Sequence, residues 1–297
     1  MAFDFYFAGG QAQECTDKMV KIDANILQSF INDRKMIEEL IEKKKQGWKG
    51  KLLIDNGAFT VHRKGGHIDI DEYIDYINDR DEYCDYFIAL DEIPGVWGQP
   101  RTQEQIERAP AVTWDNYLYM IERVNKPEIL LPVFHQGDDF KWLETMLKHP
   151  TPKYICISGN KEFTNKQREQ WYEECYKYIN KLKPNIKVHC LGSATMTNAE
   201  KFPFTSMDAT TWIMTGATGN VLTPQGTVYV GNPHVITVLP EDAKERLRTK
   251  CERYGINDIM DLGNDYKARM IFNICYLKEA SDRTEYKGSS SKVRKLF

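Results

Sequence analysis

Three short apolar runs in the chain, Leu52-Leu53-Ile54-Asp55, Phe87-Ile88-Ala89-Leu90-Asp91-Glu92 and Phe204-Thr205-Ser206-Met207-Asp208, each end on a carboxylate. Continuous apolar runs of this length read as strands buried on both faces, as in a parallel sheet covered by helices. An ionisable side chain closing such a strand is costly to bury unless it faces a polar mouth, so each run points its acid into a cleft.

Strand candidates recur at residues 3–8, 51–59, 85–91, 129–136, 154–158, 187–191 and 206–212. Helical periodicity fills 26–44, 70–80, 113–123, 141–148, 166–182 and a short piece at 198–201. Strand–helix alternation argues for an α/β fold with a parallel sheet. Seven repeats favour a closed TIM (β/α)8 barrel, whose chemistry sits at the carboxyl ends of the strands. Asp55, Asp91, Gln136 and Asp208 all fall there. After the seventh strand candidate, residues 216–230 read as an inserted hairpin, with turn residues bracketing short β-prone runs. Residues 235–238 read as a strand, 241–254 and 265–279 as helices, and the eighth barrel unit is expected among them. The whole chain, 1–297, reads as one domain, with a polar, basic and frayed tail over about 287–297.

The net charge of −3 argues against a generally basic nucleic-acid coat but leaves room for a local basic groove, for which the lysines of 43–51 and the tail are candidates against an ordinary solvated helix end. The longest apolar runs fall short of a membrane span, and the N-terminus lacks the regions of a signal peptide, which suggests a cytoplasmic protein with no membrane partner. The seven cysteines at 15, 84, 156, 175, 190, 251 and 275 are scattered without a CxxC pair, as expected of reduced thiols rather than disulfides or metal ligands. The six histidines show no HxxxH or HxH spacing, and no metal or cofactor is expected; His189 is the one to inspect as a pocket wall.

In order and strand placement these motifs resemble the tRNA-guanine transglycosylase superfamily, most closely its phage and bacterial DNA-guanine transglycosylase branch. Asp55-Asn56-Gly57-Ala58-Phe59 is similar to the family's Asp-Ser-Gly-Gly/Ala-Tyr/Phe loop, Leu90-Asp91-Glu92 to its Phe-Asp-Glu, and Val133-Phe134-His135-Gln136-Gly137 to its Val-Gln-Gly. Ser206-Met207-Asp208 is similar to the strand carrying its nucleophile, and Asn220, Thr223 and Gly226 to its hairpin insertion. The resemblance spans about residues 50–233. It implies a barrel that exchanges guanine in a polynucleotide for a free 7-deazaguanine base such as preQ0. It further implies attack by Asp208 on the sugar C1′, proton transfer by Asp55, base recognition by Asp91 and Gln136 with Asn56, Gly57, Gly137 and Gly159 around the base, and stacking by Phe59. Barrels of this superfamily often form homodimers, and a phage-encoded member works in the host cytoplasm.

Elementary chemistry accommodates these roles. Base exchange profits from a covalent sugar intermediate that holds the site until the departing base is replaced. A second carboxyl group must protonate the leaving purine and deprotonate the incoming one. A carboxylate suits guanine, whose N1–H and exocyclic amine form a two-donor edge. Each residue also has a plainer reading: Asp208 as a loop cap, Asp55 as a turn former before Asn-Gly, Asp91 and Glu92 as the start of a surface loop, Gln136 as a partner for backbone groups, Phe59 as core, and Gly159 as a tight turn. Trp97, Trp114 and Trp212 are candidates for stacking, against the commoner fate of burial.

The chain departs from the tRNA enzymes in lacking their CxCxxC run; only Cys251 and Cys275 stand in that region, so a reduced or absent zinc subdomain is expected. That favours DNA as the polymer, with tRNA as the alternative. An N-glycosidase resolved by water, and a barrel that binds nucleic acid or a modified base without turnover, are the other readings.

Overall fold

A computed structural model describes residues 3–9, 12–160, 162–192 and 195–287. Its centre is a parallel sheet built from β1 (Asp4–Ala8), β2 (Asn25–Ser29), β3 (Leu52–Asp55), β4 (Tyr86–Ile88), β5 (Leu130–Leu131), β6 (Val133–His135), β7 (Tyr154–Ser158), β8 (Lys187–Leu191) and β9 (Ser206–Ala209). β1 pairs with both β2 and β9, β5 with β4, and β6 with β7, so the order runs β5-β4-β3-β2-β1-β9-β8-β7-β6. β5 and β6 are two halves of one stave separated by Pro132, which has no N–H to offer a ladder. The carbonyl of Leu131 accepts from Ala89 on one side (2.9 Å) and that of Pro132 from Cys156 on the other (2.8 Å). Eight staves therefore close into a TIM-like barrel, with helices in the crossovers.

One stave lies where the sequence reads as helix. Ile26, Leu27, Phe30 and Ile31 are spaced like a helix stripe that continues into Ile37, Leu40 and Ile41, but Asn25–Ser29 is β2 and the helix begins only at Arg34. This strand, not a unit near the C-terminus, completes the eight, so the hairpin follows the eighth stave rather than the seventh. Residues 235–238 belong to the helix Pro233–Val238, started by the Asn232 side chain accepting from His234 N–H (2.8 Å), and are not a strand.

Side chains alternate across each stave, and the two faces are distinct. Phe5, Phe7, Leu52, Ile54, Phe134, Ile155, Ile157, Val188, Cys190 and Met207 face the surrounding helices in the large core. Tyr6, Ala8, Leu27, Leu53, Ile88, Leu131, Val133, Tyr154 and Cys156 fill the barrel interior. Continuing the same period of two puts Asp55, His135, His189, Ser206 and Asp208 on the interior side.

Beyond the barrel, β10 (Asn220–Thr223) and β11 (Gly226–Tyr229) form an antiparallel hairpin. It packs with the helices Glu241–Tyr254 and Tyr266–Asp282 in a second apolar cluster that includes Val221, Leu247, Cys251, Phe272 and Cys275. Buried Asn273, on the second of these helices, ties it to the hairpin: its Oδ1 accepts from Leu222 N–H (2.7 Å) and its Nδ2 donates to Asn220 O (3.2 Å), while Nδ2 also reaches Trp212 O (3.4 Å) just after β9. Lys287 pairs with Glu200 (2.8 Å), and the rest of the expected frayed tail lies outside the described residues. No described helix is long and apolar enough to cross a membrane.

Candidate active site

The carboxyl ends of the staves bring the predicted acids together with two histidines. Asp55 ends β3, and its Oδ2 accepts from the Gly57 N–H (3.1 Å). Gly57 stands at φ +85°, and a Cβ there would lie 2.7 Å from Ile31 and 2.9 Å from Ser29 Oγ, so this turn requires glycine. Asn56, almost fully buried, crosses to the next stave: Nδ2 donates to Ala89 O and to Asp91 Oδ1, both at 2.8 Å, while Oδ1 accepts from Ala58 N–H at 2.7 Å.

Asp91 receives a second donor from His135 Nε2 at 2.8 Å on its other oxygen, Oδ2. Desolvation alone would lower the affinity of His135 for its second proton, but the hydrogen bonds and charges of Asp138 and Asp91 outweigh it and raise the imidazole to about 10. His135 is thus an imidazolium near neutrality. Burial works against the Asp91 charge, yet the His135 cation and the Asn56 amide hold its carboxyl below the ordinary value. Among the described residues no cation pairs with Asp55. Burial, reinforced by the charges of Asp91 and Asp208, raises its carboxyl to about 7. Two neighbouring acids are therefore pushed apart, one ionised and one poised to exchange a proton near neutral pH.

Asp208 is buried, and its Oδ1 accepts from the Gly192 N–H (2.7 Å) and pairs with His189 Nε2 (3.2 Å). Among the described residues its Oδ2 has no hydrogen-bond partner, leaving one oxygen fixed and one open. Asp55, Asn56, Asp91 and Asp208 thus converge as their positions suggest.

Other expected site residues sit differently. Gln136 spends its amide on the neighbouring loops, accepting from Asn160 N–H (3.1 Å) and donating to Gln167 O (3.4 Å). It thereby braces the segment that contains Gly159. Gly137 occupies a turn at φ +115° with open space around its α-carbon. Phe59 is on the helix Ala58–Lys64, not on a strand and not in the core: it is 55% exposed and meets Trp97, 50% exposed, edge-to-face at 5.6 Å. The Arg63 guanidinium lies 5.6 Å from the Trp97 ring centre. Trp114 and Trp212 are buried, the latter donating to Ala8 O (3.2 Å). The basic stretch 43–51 leads into the start of β3, at the opposite end of the barrel from the acids, and its Lys44 is paired with Asp85 (2.8 Å).

His135, Ser206 and Tyr154 are the site residues that motif reading leaves out. Each lies an even number of residues from an interior side chain on its own stave, and that spacing is the signal that finds them. Among the described residues, no three His, Cys, Asp or Glu side chains converge as a metal site. Burial keeps the Cys251 and Cys275 thiols protonated by raising them to about 12 and about 11.

The fold and site define an α/β barrel with a carboxylate-lined mouth in which one acid is anchored, one is ionised and one titrates near neutrality. No known protein-family model matches the chain, and no curated protein matches its sequence.

Proposed function

We propose that the protein is a base-exchange transglycosylase that replaces guanine in DNA with a 7-deazaguanine base of the preQ0 type, through a covalent Asp208–sugar intermediate. The observation that carries this reading is the pairing of Asp208, fixed through one oxygen and open at the other, with Asp55, whose carboxyl holds its proton up to about pH 7. In the first half-reaction Asp208 Oδ2 bonds to C1′ as the C1′–N9 bond breaks, and the departing purine takes the Asp55 proton. In the second, the incoming base gives its N9 proton to Asp55, N9 bonds to C1′, and the ester to Asp208 breaks. The two half-reactions return every proton to its starting place.

Asp91 suits the two-donor edge shared by guanine and 7-deazaguanine. Each of its oxygens already accepts one hydrogen bond and keeps a second lone pair for the ligand. The exposed Phe59–Trp97 pair beside Arg63 suits a base and phosphate next to the target nucleotide. Trp97→Ala is accordingly expected to weaken binding of a single-stranded guanine-containing oligonucleotide about 10- to 100-fold, the worth of one stacked base, as read by fluorescence anisotropy. An unchanged affinity would remove Trp97 from the nucleic-acid surface.

The direct test is incubation of the protein with labelled preQ0 and, separately, duplex DNA, single-stranded DNA and guanine-containing tRNA, followed by nucleoside mass spectrometry. Label in DNA is the expected result. Label in tRNA alone would shift the polymer, and guanine release without label would make the protein a glycosidase.

A further inference from the structure

Beneath Asp208 lies a buried file of polar groups that the exchange chemistry above does not use. His189, with no exposed surface, lies beside β9 through parallel pairing of His189 with Ser206. Its Nε2 meets Asp208 Oδ1 at 3.2 Å and its Nδ1 meets Ser206 Oγ at 2.5 Å. Ser206 Oγ in turn bonds to the hydroxyl of Tyr154, a residue 3% exposed in the barrel interior. The Tyr6 ring closes the file from the side, edge-to-face with the imidazole at 5.8 Å.

The direction of the protons follows from counting donors. Burial drives the Tyr154 phenol well above its usual value, so it keeps its hydrogen, and its described partner is Ser206. If Tyr154 donates to Ser206, the serine hydrogen points to His189 Nδ1, which then accepts, and the imidazole carries its proton on Nε2 toward Asp208. The reverse order would strand the tyrosine hydrogen in the core without an acceptor and turn a bare Nε2 lone pair onto the carboxylate, which is costly on both counts.

We propose that His189 is a positioning residue, set in its Nε2–H tautomer by the Tyr154–Ser206 pair, and that with the Gly192 N–H it saturates Asp208 Oδ1 so that Oδ2 alone is presented to the sugar. The purpose assigned here rests on the reading of Asp208 as nucleophile; the tautomer does not. A carboxylate held by two donors on one oxygen cannot rotate to exchange its oxygens without breaking both bonds, so attack starts from one geometry. The anchoring also makes the carboxylate a better leaving group in the second half-reaction, because the charge returning to it meets donors already in place.

The test combines two readouts at one pH. Imidazole ¹⁵N shifts of the wild-type protein are expected to report a proton on Nε2 and none on Nδ1; a proton on Nδ1 overturns the file. Single-turnover adduct formation with a guanine-containing single-stranded DNA oligonucleotide, followed on denaturing gels, is expected to slow about 100-fold in His189→Leu, the scale for loss of one preorganised donor. Oligonucleotide affinity should stay unchanged. His189→Gln, which can place an amide N–H near the Nε2 position, should recover at least about tenfold of that rate. Ser206→Ala, which keeps the imidazole but frees its tautomer, should fall between the two and serves if His189→Leu does not fold. Equal rates in wild type, His189→Leu and Ser206→Ala, or affinity lost in step with rate, would overturn the positioning role. No adduct even in the wild type would remove Asp208 as nucleophile, and the tautomer measurement would still decide the file.

Discussion

Asp208→Asn is expected to fold as the wild type does, to bind a guanine-containing oligonucleotide, and to form no covalent protein–DNA adduct, with base exchange reduced by on the order of 10⁴ or more. The substitution keeps the size of the side chain and keeps an oxygen for the Gly192 N–H and His189 bonds seen on Oδ1. What it removes is the anionic second oxygen, and an amide is too weak a nucleophile to replace it. Electrophoresis under denaturing conditions after mixing with labelled oligonucleotide reads the outcome directly. Adduct formation by Asp208→Asn at the wild-type level would place the nucleophile elsewhere.

Asp55→Asn is expected to lose activity and gain stability. In the proposed reaction, proton transfer in both half-reactions passes through this carboxyl group, so exchange should drop by about 10²–10⁴, the usual worth of a positioned acid–base. The stability change has a defined sign. The folded protein raises Asp55 from 3.8 to about 7, so its contribution is fully present below the unfolded value and is lost as pH rises through about 7. Above that pH the wild type carries a negative charge at a partly buried position, beside the Asp91 charge, that asparagine lacks. Asp55→Asn should therefore melt several degrees higher than wild type at pH 8, on a penalty of at most about 4 kcal/mol, and show little difference near pH 4. In the wild type, the first half-reaction should decline as pH rises past about 7, because the leaving purine then lacks its proton donor. Equal melting temperatures of the two proteins at pH 8 would contradict the charge assigned to Asp55.

The acids were legible in the sequence because an apolar strand that ends on Asp has few physical explanations. Asp55, Asp91 and Asp208 lie at one end of the barrel as their strands imply, and β1, β7 and β8 fall almost where their apolar runs place them. β2 was hidden because the apolar residues flanking Gln28 and Ser29 continue the spacing of the helix that follows. Helical and strand periods are indistinguishable over so few residues. Phe59 reads as the end of a strand over 51–59, whereas the sharp turn at Gly57 starts a helix there and swings the ring out beside Trp97. The His135–Asp91 and His189–Ser206–Tyr154 bonds join different staves. Local sequence carries no record of such pairings, although the inward positions of the individual residues follow from alternation.

The break at Pro132 divides the barrel into two arcs. Asp55 and Asp91 stand on the arc from β1 to β5, and His135, His189 and Asp208 on the arc from β6 to β9. Along one edge the arcs are laced by the β1–β9 ladder; along the other they share the stave that Pro132 interrupts, and the His135–Asp91 bond crosses from one arc to the other at the mouth. A nucleoside gripped by Asp91 and attacked by Asp208 would touch both arcs at once. In the proposed reaction such a substrate would act as a staple between the two arcs, and part of its binding free energy would go into holding Asp91 and Asp208 in register.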